Sequence, residues 1–168
     1  MKRTTVESGF SLIEVLVALI VLSIGMLGMG KMLMVSMKSN GTAYSNTQAM
    51  SLASAMLERI RANRTAALAG AASGYSLPTL TSASSFGAGT NCLMGACSTT
   101  AVATSDVAGW LALLASANGL PSGEGSITFG SLNSQTSVTI VVQWDDSVAQ
   151  KALKETLNPA TVTLTSVL

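Results

Sequence analysis

Residues 9–30 read GFSLIEVLVALIVLSIGMLGMG, an almost uninterrupted apolar stretch. From Val15 to Gly30 it holds sixteen residues without a charge, and Glu14 is the one charge in the wider apolar run that begins at Phe10. A helix needs roughly 20 apolar residues to cross a hydrocarbon core about 30 Å thick, so the run predicts one membrane-spanning helix. A buried core helix is the weaker alternative, because the remaining chain has too little apolar mass to wrap it.

The composition of the whole chain limits its function. Its 168 residues include nine Lys+Arg, eight Asp+Glu and no His, and charged residues make up 10 % where a soluble globular chain has roughly 25 %. The chain has too few positive side chains to form a basic surface that binds the phosphates of a nucleic acid. Without His, a Ser-His-Asp or Cys-His nucleophile system and an imidazole metal site are excluded. We therefore expect no catalysis, no cofactor, no metal and no nucleic-acid partner.

Flanking charges predict the orientation of the helix in the membrane. Lys2 and Arg3 precede the apolar run and favour a cytoplasmic N-terminus with an exported C-terminal body, although Lys31 and Lys38 weaken the asymmetry. An ordinary secretory signal would end at a small-residue cleavage site of the A-x-A type, and none follows the run. We expect the helix to stay in the mature protein.

The polar leader of residues 1–9, MKRTTVESG, is followed by FSLIE at residues 10–14. This junction resembles the type III signal of type IV prepilins and pseudopilins, a basic leader ending in Gly and then Phe-[ST]-Leu-[IL]-Glu. The resemblance implies that a membrane prepilin peptidase cuts between Gly9 and Phe10 and that Phe10 is N-methylated. It also implies that Glu14 serves subunit assembly. Cleavage would expose an ammonium one helical turn from Glu14, and paired opposite charges offset each other's desolvation cost.

An amphipathic helix is predicted to follow the membrane span. Its apolar stripe recurs at i, i+3 and i+4 spacing in Met50, Ala53, Met56, Leu57 and Ile60. A helix from Phe10 to about Leu68 would be about 85–90 Å long at 1.5 Å per residue. We expect a transmembrane and assembly helix over residues 10–35, a stalk helix over 36–68 and a periplasmic head over 69–168.

Two charged clusters have competing interpretations. Arg59, Arg61 and Arg64 could suggest DNA binding, but three arginines without interleaved aromatics are more often a solvated helix end, where cations favour the helix dipole. Asp145 and Asp146 could suggest a calcium site, but two adjacent carboxylates without a ligand-bearing loop are more often a turn.

The stretch from Thr65 to Ser105 contains no charged residue and is rich in Ala, Gly, Ser and Thr, which is typical of loops. Within it, Cys92 and Cys97 enclose four residues. A metal site would need further ligands, and the spacing does not fit a C-x-x-C redox motif. In an exported head, which lies in an oxidising compartment, a local disulfide is favoured.

Regular structure is predicted again from Ser105. Ser105 or Asp106 can cap a helix that contains Trp110 as a core anchor and that stops at Gly119-Leu120-Pro121. Three strands joined by short turns are predicted to follow: Gly125–Phe129, Ser137–Trp144 and Thr161–Val167. The second and third are rich in β-branched residues with partial alternation. The fold class is therefore α+β, a long N-terminal helix packed on a small antiparallel sheet head.

Further motifs in the head resemble the PilV-type minor pilins. The stretch ERIRANR at residues 58–64 is similar to the (D/E)RMRANR that follows the stalk in that group. The Cys-containing loop, the Trp-bearing helix, the turn LPSGEG at residues 120–125 and the strand end VQWD at residues 142–145 are similar as well.

The resemblance implies a minor pilin that co-assembles with other minor pilins and the major pilin to prime type IV pilus assembly at the tip, supporting twitching motility and adhesion. Its implied partners are the prepilin peptidase, the inner-membrane assembly platform and a tip adhesin. The implied location is the inner membrane, single-pass, and then the pilus. A minor pseudopilin of a type II secretion system is the alternative, and a signal-anchored periplasmic enzyme is the weakest candidate.

Overall fold

The computed structural model describes residues 9, 11–89, 92, 95–116, 119–146 and 159–168. Its elements are α1 (Leu12–Ala62), α2 (Arg64–Ala67), β1 (Leu77–Thr81), α3 (Ala83–Phe86), α4 (Thr99–Leu114), β2 (Glu124–Leu132), β3 (Gln135–Trp144) and β4 (Ala160–Val167). The chain divides into two compact units, Met1–Asn40 and Gly41–Leu168. We call the second unit the head and describe each unit separately.

In the first unit, α1 exposes apolar side chains on all its sides. The large hydrophobic residues between Leu12 and Met37 are 45–88 % exposed. A helix that is apolar all round requires a protein or lipid environment, and this one has the length and composition of a membrane span. The hydroxyl of Ser23 donates to the backbone carbonyl of Leu19 at 2.8 Å, so this polar side chain is satisfied within the helix.

In the head, α1 buries one face. Ala49, Ala53, Met56 and Ile60 are fully buried and follow the i, i+3 and i+4 spacing of one helix face. Met50, predicted to lie on this face, is instead 44 % exposed, and its neighbour Ala49 is buried.

The long helix ends at Ala62, earlier than the predicted end near Leu68. Asn63 adopts φ −103° and ψ 53°, outside the helical region, and α2 resumes at Arg64. The side-chain amide of Asn63 donates to the carbonyl of Thr99 at 2.7 Å, so the break connects the end of α1 to the start of α4.

The sheet has four antiparallel strands in the order β1-β2-β3-β4. The three predicted strands are present, and the α+β class of a long helix on a small antiparallel sheet is confirmed. The fourth strand, β1, lies in the uncharged stretch that we expected to be a loop. Its buried Leu77 pairs with Ile127 of β2, and its position at the sheet edge tolerates Pro78.

The β2–β3 hairpin turns at Asn133 and Ser134, which form one of the short turns predicted between the strands. Both residues have positive φ, 51° and 64°, which is the requirement of a two-residue type I′ turn. The right-handed strand twist matches this turn, so β2 and β3 pair without a break from Leu132↔Gln135 to Glu124↔Gln143.

Helix α4 begins at Thr99, so the predicted start at Ser105 is wrong. The hydroxyl of Ser98 accepts a hydrogen bond from the amide of Ala101 at 3.2 Å and caps the helix seven residues before Ser105. Ser105 lies within the helix, and α4 ends at Leu114, before the predicted Gly119-Leu120-Pro121 stop.

Candidate functional site: the N-terminal segment and the stalk–head junction

The N-terminal motif lies at the start of α1. Gly9 is exposed, and Phe10 lies outside the described residues. The amide of Glu14 donates to the carbonyl of Ser11 at 3.0 Å, which closes the first turn, and the Glu14 side chain is exposed there. A carboxylate in the first turn faces the positive end of the helix dipole. Cleavage after Gly9, methylation of Phe10 and the assembly role of Glu14 remain predictions.

A shallow apolar groove extends along the helix surface from Glu14. It is lined by Val15, Ala18, Leu19 and Leu22, and the small side chain of Ala18 forms a notch between larger neighbours. Small residues allow another helix to approach closely inside a membrane. The carboxylate and an apolar packing surface are therefore adjacent.

At the other end of α1, a buried tyrosine joins the stalk to α4. The hydroxyl of Tyr75, which is fully buried, donates to Asp106 Oδ2 at 2.8 Å and lies 3.3 Å from the carbonyl oxygen of Arg59. Arg59 Nη1 lies 3.8 Å from Asp106 Oδ1 and 3.4 Å from the Asp106 carbonyl oxygen. The three residues link α1, the segment before β1 and α4.

The environment of Tyr75 favours its neutral form. Burial first, and then the hydrogen bond to the Asp106 side chain, raises the pKa of the Tyr75 phenol well above its ordinary value of 10.0. A neutral phenol can keep donating to the carboxylate, whereas a phenolate beside Asp106 would be repelled. At neutral pH the Tyr75 hydroxyl therefore keeps its proton and can donate the hydrogen bond to Asp106.

The arginine cluster also belongs to this junction. Arg61 pairs with Glu58 at 2.9 Å, as expected for surface residues three apart, and its Nη2 donates to the Ser166 hydroxyl of β4 at 2.8 Å. Arg64 is exposed. Within the head, Arg59 and Arg61 therefore connect the end of α1 to α4 and β4, which is a more specific arrangement than the solvated helix end that we expected.

The predicted core anchor Trp110 is confirmed. It is 1 % exposed, and its Nε1 donates to the carbonyl of Leu52 at 3.0 Å. The ring lies against the backbone of β2 at Gly125, where an added Cβ would come within 2.5 Å of Trp110 Cζ3. Gly125, the last residue of the LPSGEG turn motif, therefore permits α4 to approach the sheet.

The disulfide between Cys92 and Cys97 is present, with a Cα–Cα distance of 5.7 Å. Cys97 lies just before the Ser98 cap, so the bond attaches the loop to the N-terminus of α4. The Asp145–Asp146 turn contacts the stalk, since Asp146 Oδ2 accepts from the Thr42 hydroxyl at 3.3 Å. Among the described residues, no three Asp, Glu, Cys or His side chains group as metal ligands would.

Tyr75 and the interaction of Asp106 with Arg59 were missed by sequence reasoning. Asp106 is the first charged residue after the uncharged stretch, and we interpreted it only as a helix cap. A lone charge after 41 uncharged residues is a signal that it has a specific partner.

Comparison with protein families gives two matches. The prokaryotic N-terminal methylation motif matches residues 5–30, a range that includes Gly9, Phe10 and Glu14. The family described as type IV pilin Tt1218 matches residues 32–108, from the stalk into α4. No significant match was found among curated proteins or among solved structures. Over these two ranges the chain is similar to type IV pilins and to proteins with a prepilin-type N-terminus, and its fold of a long helix on a small antiparallel sheet agrees with that similarity.

Proposed function

We propose that the chain is a minor pilin of the PilV type, which co-assembles with other minor pilins at the pilus tip to prime growth of a type IV pilus, supporting twitching motility and adhesion. One observation carries the proposal. A processed-pilin motif begins a helix whose apolar residues are exposed on all sides, and the same helix is anchored in a folded head. Such a helix needs lipid before assembly and neighbouring helices afterwards.

In this function, prepilin peptidase cuts between Gly9 and Phe10 and methylates Phe10. The new ammonium on Phe10 would be four residues before Glu14 in the sequence, next to the apolar span. Pairing of the Glu14 carboxylate with such an ammonium inside the filament would offset the free-energy cost of removing the carboxylate from water. The groove beside Glu14 supplies the packing surface for a neighbouring helix.

The stalk–head junction supports the assignment to the PilV-type group. The ERIRANR stretch, which is similar to that group, is the segment that fastens the head, through Arg59 to Asp106, Arg61 to Ser166 and Asn63 to Thr99. The minor pseudopilin of a type II secretion system shares the N-terminal motif, so the tests are designed to separate the two functions.

The first test is mass spectrometry of the chain from a host with prepilin peptidase. The expected mature N-terminus is N-methylated Phe10, and an intact Met1 terminus would contradict processing. The second test is a deletion strain. Loss of pili and of twitching with normal enzyme secretion supports the minor pilin, whereas loss of secreted enzymes with normal pili supports the pseudopilin.

A further inference from the structure

The outer edge of β4 presents backbone groups for strand pairing. The sheet order leaves β3 on one side of β4, and in the described part of the chain no strand pairs with the other side. The amide of Leu168 donates to the carbonyl of Thr136 at 2.9 Å. Because backbone groups of successive residues in a strand point to opposite sides, the amides and carbonyls of the even-numbered residues of β4 face β3. The backbone groups of Thr161, Thr163, Thr165 and Val167 therefore point outward.

Within strand β4 itself, the sequence features that usually prevent edge pairing are missing. Strand β4 reads ATVTLTSV, with no charge and no proline, and its eight pairs with β3 run without a register shift. Natural edge strands are usually short, charged, bulged or interrupted by proline. The opposite edge has these features, since β1 is five residues long, contains Pro78 and shifts register against β2.

The inner face of β4 is incompletely covered. Val162, Leu164 and Leu168 pack against the core but are only partly buried. A strand added beyond β4 would extend the sheet over this margin and remove apolar surface from water. Backbone pairing and burial of the inner face would thus occur together.

Two contacts fix the direction of β4 relative to the stalk. Thr42 of α1 donates a hydrogen bond to Asp146, which lies two residues after the end of β3 at Trp144. Strand β4 begins beside this point, because Ala160 pairs with Trp144. Nineteen residues later, Arg61 touches Ser166, near the end of β4. Within the head, β4 therefore runs in the same direction as α1.

This direction disfavours a second copy of the chain as the partner. Antiparallel pairing of β4 with the β4 of a second copy requires a two-fold axis perpendicular to the sheet, which would reverse the second stalk. Heads carried on helices from one membrane have stalks that point the same way. Strand β1 of a like-oriented copy would be antiparallel to β4, but it is short and carries Pro78.

We propose that the outer edge of β4 pairs in antiparallel fashion with an uncharged edge strand in the head of a different pilin subunit, oriented like this one. The inference rests on the proposed function, because it takes the partner from the same assembly. Main-chain hydrogen bonds supply the affinity, and the alternating Thr and aliphatic side chains set the register.

The first experiment places the photo-crosslinking residue p-benzoylphenylalanine at Thr163 of the full chain in its host. The control site is Thr128, also an exposed threonine, on the interior strand β2. Expected is a cross-link from position 163 to a strand of another pilin head, at a yield at least tenfold above position 128. Cross-linking to a second copy, or equal yields at the two sites, would overturn the proposal.

The second experiment removes one outward amide. The probe is moved to Thr165, and Thr163 is replaced by proline, which has no amide proton. The cross-link yield should then fall at least tenfold. Thr163→Ala is the control, because it keeps the amide and should keep the cross-link. Proline is tolerated where the amide does not bond within the sheet, and the Cys92–Cys97 bond and the melting temperature report folding. If the wild-type chain is processed and found in pili but the probe at Thr163 gives no cross-link, the strand-pairing proposal is wrong and the proposed function stands. If the wild-type chain is not processed, the proposed function itself is contradicted.

Discussion

The indole Nε1 of Trp110 donates to the carbonyl oxygen of Leu52 at 3.0 Å, and this bond joins α4 to the middle of the head's part of α1. Leu52 lies inside a helix, so its carbonyl accepts a side-chain donor in addition to its place in the helix ladder. The second tryptophan differs. Trp144 is equally buried, but its Nε1 has no hydrogen-bond partner within the described residues.

This difference predicts unequal costs for two matched substitutions. Trp110→Phe should lower the free energy of unfolding by about 1–3 kcal/mol, because a buried hydrogen bond and ring volume are lost. Trp144→Phe should lower the free energy of unfolding by less. It removes a similar ring volume, but the Nε1 group that is lost makes no hydrogen bond within the described residues. Urea denaturation of the full chain in detergent, followed by circular dichroism, measures both. Equal losses would show that the Trp110 hydrogen bond contributes nothing.

The buried phenol of Tyr75 predicts a loss of stability at alkaline pH. Its pKa is raised in the folded state, so the neutral form is favoured there, and its contribution is complete below the unfolded pKa of about 10. As the pH rises above 10 toward the folded pKa, stability should fall by up to about 1.4 kcal/mol per pH unit.

Unfolding midpoints between pH 8 and pH 11.5 test this slope. Tyr75→Phe has no phenol to titrate and should show a flatter profile, whereas Tyr44→Phe, at an exposed stalk position, should keep the wild-type slope. If Tyr75→Phe and wild type lose stability in parallel above pH 10, another group is responsible.

The disulfide should stabilise the head modestly. Closing so short a loop contributes about 2 kcal/mol in the chain-entropy model. Reduction of the wild-type chain, or the double change Cys92→Ser and Cys97→Ser, should lower the free energy of unfolding by this amount without abolishing the fold. The double variant serves as the control, because a reductant should not change its melting temperature.

Glu14 should be required for assembly and dispensable for insertion. Glu14→Gln removes the charge but keeps the shape, and it lowers the cost of placing residue 14 in an apolar phase. We expect the variant to enter the membrane as well as wild type and to appear in sheared pili at less than a tenth of the wild-type amount. Glu124→Gln, a charge removal in the head, should leave incorporation unchanged, and normal incorporation of Glu14→Gln would refute the assembly role.

Elements that depend on local pattern could be predicted from the sequence. The length of the apolar run from Val15 to Gly30 and its lack of charge favour a helix in lipid, and β3 and β4 are marked by many β-branched residues with partial alternation. The turn at Asn133-Ser134 follows from the tolerance of Asn for positive φ.

Elements that depend on tertiary contacts could not be predicted in the same way. LPTLT becomes the strand β1 because β2 offers it a partner, and its proline argued against that assignment. Ser98 and Ser105 are both good helix caps, and the local sequence does not say which one is used. The contact between Tyr75 and Asp106 spans 31 residues, and no periodicity relates positions that far apart.

The alignment of β4 with the stalk has a mechanical consequence. When a filament is under tension, load enters the head along α1, and β3 and β4 lie along that same direction. A pull along this direction that enters one of these strands and leaves by the other would load the eight pairs of the β3–β4 ladder in shear, so that they would break together instead of being peeled apart one after another. Forced unfolding depends on the rate of unfolding rather than on equilibrium stability, so this geometry can make the head strong under a pull even where its thermodynamic stability is small.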